Sequence, residues 1–293
     1  MSDDFAATAM MRLIAHGLAR EGLALRIEAT DARVPLADKR ALLQALMAAH
    51  GPERLLRIGQ HAIDAPEEPT ASALLAASDP PDLIARWQRL ERYVHSRHRV
   101  QVLAQAPGRL QLAHVSLAAG EPPWPAEDLL VWGLLIGLLQ RLGTAGLAHS
   151  IDLAATAELV LHWQPPPAPA SAPQHAGEPG MQPLSAPALL AAAEQALAAD
   201  PAAPWSLARL AQHLGTTPRT LQRRLAAQGR SFSQLWMAAR LHTAAQLLLR
   251  APASTAEIGY RSGFADQAHF TRSFRRHTAL TPARYRAEFG VSA

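Results

Sequence analysis

A chain of 293 residues is long enough for two domains, and a hydrophobic content of 49% excludes wholesale disorder. The absence of cysteine excludes disulfides and thiolate metal sites and fits a reducing compartment. The net charge of +4 is unevenly held: residues 185–293 carry 13 arginines, no lysine and five acidic residues, a balance of +8, against −4 for residues 1–184.

The N-terminus has two early aspartates and no basic start before an apolar run, so no signal peptide is expected. Met10, Leu13, Ile14 and Leu18 form a helical stripe within residues 10–30, with Ala24–Ile27 expected to be extended. Arg33-Val34-Pro35-Leu36 then leads into a helix over Ala37–His50, stopped by Gly51-Pro52. Further helices are predicted at Glu53–Gly59, Thr70–Ala77 and Asp82–Ser96, the last started by Asp79-Pro80-Pro81 with Leu83, Trp87, Leu90 and Val94 as its core stripe. From Arg99 the apolar period shortens to an alternation around Ala106-Pro107-Gly108. It reads as a β-hairpin with Val100 and Val102 opposite Leu110 and Leu112. The helix predicted over Ala126–Leu142 is apolar nearly all round, so it is either central to the core or shared with a second copy, and it favours a homodimer. Its apolar block, Leu129–Leu139, is about 11 residues and falls short of the ~20 needed to span a bilayer. A soluble, cytoplasmic protein without membrane contact is expected.

Gln164–Pro183 holds seven prolines and no periodicity and reads as a linker. It divides the chain into residues 1–163, a linker over 164–184, and residues 185–293. The fold class expected is an α+β N-terminal domain, mostly helical with a β-hairpin or small sheet, joined to an all-α domain.

A single pattern occurs twice within residues 185–293. Residues 206–229 and 254–277 each read as helix, sharp turn, helix, offset by 48 residues before the central glycine and 49 after it. In the first copy Leu207, Leu210, Ala211 and Leu214 face inward, Gly215 makes the turn, and Thr217-Pro218 starts a helix that buries Leu221 and Leu225. Arg219, Thr220, Gln222 and Arg223 are left for the outer face. In the second copy Ile258, Phe264, Phe270 and Phe274 form the core, and Gln267, His269, Arg272, Arg275 and Arg276 lie outside or on the flank. Arginine and glutamine on the free face of a short helix suit the major groove, where arginine pairs bidentately with guanine and glutamine with adenine. Between the copies Ser231–Leu249 has neither glycine nor proline. As a helix it would span roughly 28 Å, close to the separation of about 34 Å between successive major grooves on one DNA face.

The stretch from Leu207 to Arg286 resembles the DNA-binding domain of AraC-type transcription regulators. The resemblance is carried by Glu257-Ile258, Gly263-Phe264, Phe270, Arg272, Phe274 and the closing Thr281-Pro282-Ala283-Arg284-Tyr285-Arg286. It implies a seven-helix double helix-turn-helix domain, its first helix at Ala186–Ala199 and its last at Pro282–Phe289. It places Arg219, Gln222 and Arg223 on the base-reading positions of one recognition helix and Gln267, His269 and Arg272 on those of the other. Double-stranded DNA and RNA polymerase are the partners it implies. Gly259 stands where the family usually has alanine, and Ala279 where glycine is common, so a softer helix and a differently built last turn are expected.

For residues 1–163 three readings compete. The resemblance implies an effector-binding and dimerising domain, loosely like the arabinose-binding-type sensor of some AraC-type regulators, with a small-molecule effector that the sequence does not name. If that effector is an anion, Arg92, Arg97, His98 and Arg99 are the candidate contacts. A metal or haem sensor would use His95, His98 and His114, but no carboxylate or thiolate is placed beside them by the motif, and neither metal nor cofactor is expected. Catalysis lacks a nucleophile elbow, a phosphate loop or a paired-carboxylate motif, and a methyltransferase of the DNA-repair type would need a cysteine. The protein is therefore expected to be a sequence-specific regulator and not an enzyme, with a sequence-indifferent architectural DNA-binding protein as the alternative.

Overall fold

The computed structural model describes residues 4–23, 33–64, 68–153, 157–164 and 186–290. In chain order the N-terminal half comprises β1 (Phe5–Ala7), α1 (Thr8–Arg20), β2 (Arg33–Pro35), α2 (Leu36–His50), α3 (Pro52–His61), α4 (Pro69–Leu75), α5 (Pro80–Val94), β3 (His98–Ala106), β4 (Arg109–Ser116), α6 (Pro125–Arg141), β5 (Ala148–Asp152) and β6 (Glu158–His162). The C-terminal region comprises α7 (Ala186–Ala199), α8 (Leu207–His213), α9 (Pro218–Ala227), α10 (Phe232–Arg250), α11 (Thr255–Arg261), α12 (Gln267–Thr278) and α13 (Pro282–Phe289). The extended segment expected at Ala24–Ile27 and the proline-rich linker beyond Gln164 lie outside the described residues, as does the boundary set on that linker.

β1 and β2 pair antiparallel, and β3, β4, β6 and β5 form a four-stranded antiparallel sheet in that order. The predicted hairpin is present, but its register differs from the expected one. Val102 faces Leu112, Val100 faces His114 and Leu110 faces Gln105, and the pairing shifts by one at Leu103, between Val102 and Ala104. A β-bulge of this kind adds one residue to one strand and moves every later partner. β2, β5 and β6 have no counterpart among the expected elements.

α6 lies at the centre of the N-terminal half. Leu130, Trp132, Leu134, Leu135, Ile136, Leu138 and Leu139 are each at most 1% exposed. Gly133 and Gly137 bring its backbone against α3: a Cβ on Gly133 would lie 2.2 Å from the Leu56 carbonyl oxygen, and one on Gly137 2.4 Å from that of Gln60. The apolar girdle of this helix is thus satisfied within one chain, so it offers no surface for the dimer contact expected from the sequence.

Two apolar clusters divide the C-terminal region. Leu189, Leu190, Leu197, Leu210, Leu221, Leu225, Leu235 and Ala239 belong to the first, drawn entirely from residues 189–239. The other begins at Leu241 on the same helix, takes in Ile258, Phe264, Phe270, Phe274, Tyr285 and Phe289, and runs without a break into the core of the N-terminal half. Hydrogen bonds fasten that junction: Tyr285 donates to the Pro69 carbonyl at 2.6 Å, Arg86 to the carbonyl of Phe289 at 3.2 Å, and Arg12 to that of His277. Among the described residues no helix is long and apolar enough to cross a membrane.

Candidate nucleic-acid interface

Each helix of the paired units starts on a side-chain cap. Ser206 accepts from the N–H of Arg209 at 3.1 Å, Thr217 from Thr220 at 3.2 Å, Ser254 from Glu257 at 3.2 Å and Asp266 from His269 at 2.6 Å. These bonds satisfy donors that a helix start otherwise leaves open and fix where each helix points. Between the helices Gly215 and Gly263 take φ of +63° and +85°, backbone that L side chains rarely adopt.

The inward residues are those expected. Leu210, Leu221, Ile258, Phe270 and Phe274 are fully buried, and Leu225 and Phe264 are 1% and 2% exposed. In the second unit the rings of Phe264, Phe270, Phe274, Tyr285 and Phe289 form a continuous row, with successive centroids 5.0, 5.7, 5.2 and 5.4 Å apart. Burial of the inner face leaves Arg219, Gln222 and Arg223 exposed on α9 and Gln267, Arg272, Arg275 and Arg276 on the outer side of α12. Among the described residues Arg219, Arg223, Arg272 and Arg276 form no ion pair, so their guanidinium groups are available to an external acceptor. Two predicted contacts are placed differently. Thr220 is half-buried, with its hydroxyl 2.9 Å from that of Thr217, as part of the cap. His269 is half-buried with its ring edge-on to Phe264 at 5.4 Å.

α10 is unbroken over 19 residues and opens on a reciprocal cap, in which Ser231 accepts from the Gln234 N–H at 3.3 Å and the Gln234 side chain accepts from the Ser231 N–H at 2.7 Å. Leu235 and Ala239 pack on the first unit, and Leu241, Ala244, Ala245, Leu248 and Leu249 on the second. One rod of roughly 28 Å therefore enters the cores of both units at its two ends.

The four anion contacts considered for the N-terminal half do not form a group. Arg97 is bound to Asp4 and Glu121. Arg99 donates to the carbonyls of His95 and His98 at 2.8 and 2.6 Å. His98 is 1% exposed inside the core. Arg92 is exposed and lines a cavity beside the second unit.

His98 belongs to a buried polar cluster with Lys39, Arg40, His95, His114, Glu127 and Asp128. His95, His98 and Glu127 offer ligand atoms within 4.8 Å of one another, a grouping the sequence did not reveal because Glu127 arrives from α6. Two features oppose a metal ion there. His95 Nδ1 accepts main-chain N–H groups from His98 at 3.1 Å and Arg97 at 3.3 Å, and its Nε2 lies 3.1 Å from Lys39 Nζ, so both ring nitrogens are already engaged. Lys39 and Arg40 already supply cations, with Lys39 3.6 Å from Glu127 Oε1 and Arg40 3.0 Å from Oε2. Burial, reinforced by the nearby cations, lowers the pKa of both His95 and His98 and keeps them neutral. Asp128 is raised by burial and bonds His114 at 2.7 Å. The cluster is a buried polar core that sets Lys39 and Arg40 against Glu127, and it leaves His98 Nδ1 and Glu127 Oε1, 3.6 Å apart, without a hydrogen-bond partner among the described residues.

Comparison with known proteins bears on the C-terminal region. A family model described as a helix-turn-helix domain matches residues 210–288. The chain is 40% identical over 104 residues to the HTH-type transcriptional regulator RipA of Corynebacterium glutamicum, covering 35% of this chain and 31% of that protein. It is 36% identical over 89 residues to the urease operon transcriptional activator of Escherichia coli, covering 30% of each. A solved transcriptional regulator from Chromobacterium violaceum with an AraC-type DNA-binding domain is 29% identical, covering 36% of this chain and 95% of that one, with a TM-score of 0.34. The chain spans about a third of the length of the curated relatives it matches. The two capped units, their glycine turns and the matched residues agree: the C-terminal region of this chain is a helix-turn-helix domain of the AraC type.

Proposed function

We propose that the protein is a sequence-specific DNA-binding transcription regulator whose α9 and α12 enter successive major grooves on one face of the duplex. The observation that carries this reading is α10, a single rod seated in both units and holding two helices with unpaired arginines on their free faces. Arg223 and Arg272 are the central base contacts in this reading, with Arg219, Gln222, Gln267 and Arg276 beside them. Residues 1–163 act as the sensor, a small-molecule effector shifts the balance between conformations that differ in DNA affinity, and RNA polymerase is the downstream partner. A cytoplasmic location follows from that role. Any homodimer contact would use a surface other than α6.

Replacing Arg223 or Arg272 by alanine is expected to cost about 1–3 kcal/mol of affinity for the operator at fixed salt. A gel shift against both the operator and a random duplex measures it. Unchanged operator affinity in both variants removes the base-reading assignment. Equal affinity of the wild type for operator and random duplex would favour the architectural alternative.

A further inference from the structure

The junction between the N-terminal half and the second unit contains a cavity of about 800 Å³. Arg33, Arg92, Phe5 and Tyr93 line it from one side, and Arg275 and Arg284 from the other. Arg284 is spoken for: it pairs with Glu288 at 2.7 Å and donates to the Tyr93 hydroxyl at 2.7 Å, while Tyr93 donates to Glu288 at 2.8 Å. Arg33 lies over the Phe5 ring at 3.9 Å from its centroid. Among the described residues Arg33, Arg92 and Arg275 form no ion pair. Beside the Arg284–Glu288 pair, three arginines from two packed halves thus face one concavity without carboxylates of their own. Such an arrangement concentrates anions, because a recess lined by one sign of charge focuses its field. Guanidinium forks fit carboxylates and phosphates, and Phe5 and Tyr93 add apolar ring surface.

We propose that this cavity binds a small organic anion, a carboxylate or phosphate on an aromatic or apolar body, held by Arg33 and Arg92 from the N-terminal half and Arg275 from the second helix-turn-helix unit. The proposal rests on the reading of residues 1–163 as a sensor and names the chemical class of its effector. The Tyr93–Glu288–Arg284 bonds that dock the two halves form a portion of the same wall, so an entering anion competes with Glu288 for Arg284 and alters the docking of α13 and α12. Because α12 carries Arg272 and Arg276, occupancy and DNA affinity become linked, each changing the other by the same factor.

The test uses the full chain and three matched probes: 1-naphthoate, 1-naphthyl phosphate and the uncharged 1-naphthalenemethanol. Calorimetric titration at fixed ionic strength is expected to give saturable one-to-one binding for at least one anion and none for the alcohol. Arg92→Ala and Arg275→Ala should each weaken that binding at least about tenfold, and Arg92→Lys less than Arg92→Ala. Far-UV circular dichroism of each variant confirms that it is folded. Failure of both anions to saturate, equal binding of the alcohol, or unchanged affinity in Arg92→Ala overturns the proposal. Salt-dependent binding of random duplex separates a second source of anion: a salt slope shallower by about one in Arg92→Ala would mean that this arginine holds a DNA phosphate, which also overturns it. If the wild type binds no DNA the regulator reading fails on its own, while the naphthoate titration still decides the cavity.

Discussion

The two helix-turn-helix units share a plan and differ in what lies behind them. The first is backed by α7 and the early half of α10, with a core drawn from residues 189–239 alone. The second has a core continuous with the N-terminal half, reached through Phe274, Tyr285 and Phe289 and fastened by main-chain acceptors on Pro69, His277 and Phe289. Cooperative units in proteins follow shared burial. The second unit should therefore open together with residues 4–164, and the first should open by itself. The N-terminal half meets α12 through packed side chains, whereas it approaches the first unit along α10 and at His16, which lies within electrostatic reach of Arg230 and Glu194. On the proposed reading of residues 1–163 as a sensor, this asymmetry assigns the response to the second unit and the constant anchor to the first.

The sharpest way to break the comparison is to truncate one core residue in each unit. Phe274→Ala removes the middle of the aromatic row and is expected to cost about 3–5 kcal/mol. The loss should appear as weakened amide protection across α12, α13, α4 and α5. Leu225→Ala should cost about 2–5 kcal/mol and strip protection from α8 and α9 while leaving α5 and α6 as in the wild type. Segment-resolved hydrogen exchange reads both. If Leu225→Ala exposes α5 and α6 as strongly as α9, the two units are one cooperative body and the asymmetry is lost.

A second effect lies behind the second unit alone. Glu91, 4% exposed on α5, accepts the indole N–H of Trp87 at 2.6 Å and the Val100 N–H at 3.0 Å. Burial outweighs these bonds and pushes its carboxyl from the ordinary 4.5 up to about 7. A carboxyl whose folded value is raised favours the fold in its protonated form. Its contribution is complete below about pH 4.5, shrinks above that, and is lost as pH rises through about 7. The change corresponds to on the order of 3 kcal/mol. His95 and His98, held neutral by burial, act in the opposite sense in both proteins, so the effect of Glu91 is read as a difference: the urea midpoint of the wild type relative to that of Glu91→Gln should fall across this window. Because α5 packs on α13, the falling stability should appear in the second unit and not in the first.

The C-terminal region was legible because its information is local: caps, glycine turns and a 3.6-residue stripe all act within ten residues of one another. Ser206, Thr217, Ser254 and Gly263 each do what their residue type dictates. The N-terminal half was legible only as single elements. β2 is three residues beside Phe5–Ala7, β5 and β6 are five residues each, and none is long enough to show an alternation above its surroundings. The hairpin register turned on one bulge residue, Leu103. The buried polar cluster draws Lys39 from α2, His98 from β3 and Glu127 from α6, positions that only tertiary packing brings together. Of the four proposed effector contacts Arg92 lines the cavity at the junction, whereas Arg97, Arg99 and His98 are held by Asp4, by main-chain carbonyls and within the core.

The two departures from the family pattern provide the smallest and most discriminating test, because both lie in the second unit and should have opposite signs. Gly259 on α11 faces Phe270, and a Cβ there would lie 2.8 Å from the ring. Alanine would gain up to ~1 kcal/mol of helix propensity but would have to displace a fully buried ring, an overpacking cost of about 1–3 kcal/mol. Gly259→Ala should therefore destabilise despite the better helix former. Ala279 ends α12 at φ 67°, the left-handed region, so the last turn is built as a glycine would build it although the residue is alanine. An L residue with a Cβ is penalised there by roughly 1–2 kcal/mol, some of which glycine gives back through its greater freedom in the unfolded chain. Ala279→Gly should raise the denaturation midpoint by an amount corresponding to about 1 kcal/mol, with no change in the protection of α8 and α9. A loss of stability on introducing glycine would mean that the Ala279 methyl group contributes more by packing against the second core than its backbone costs.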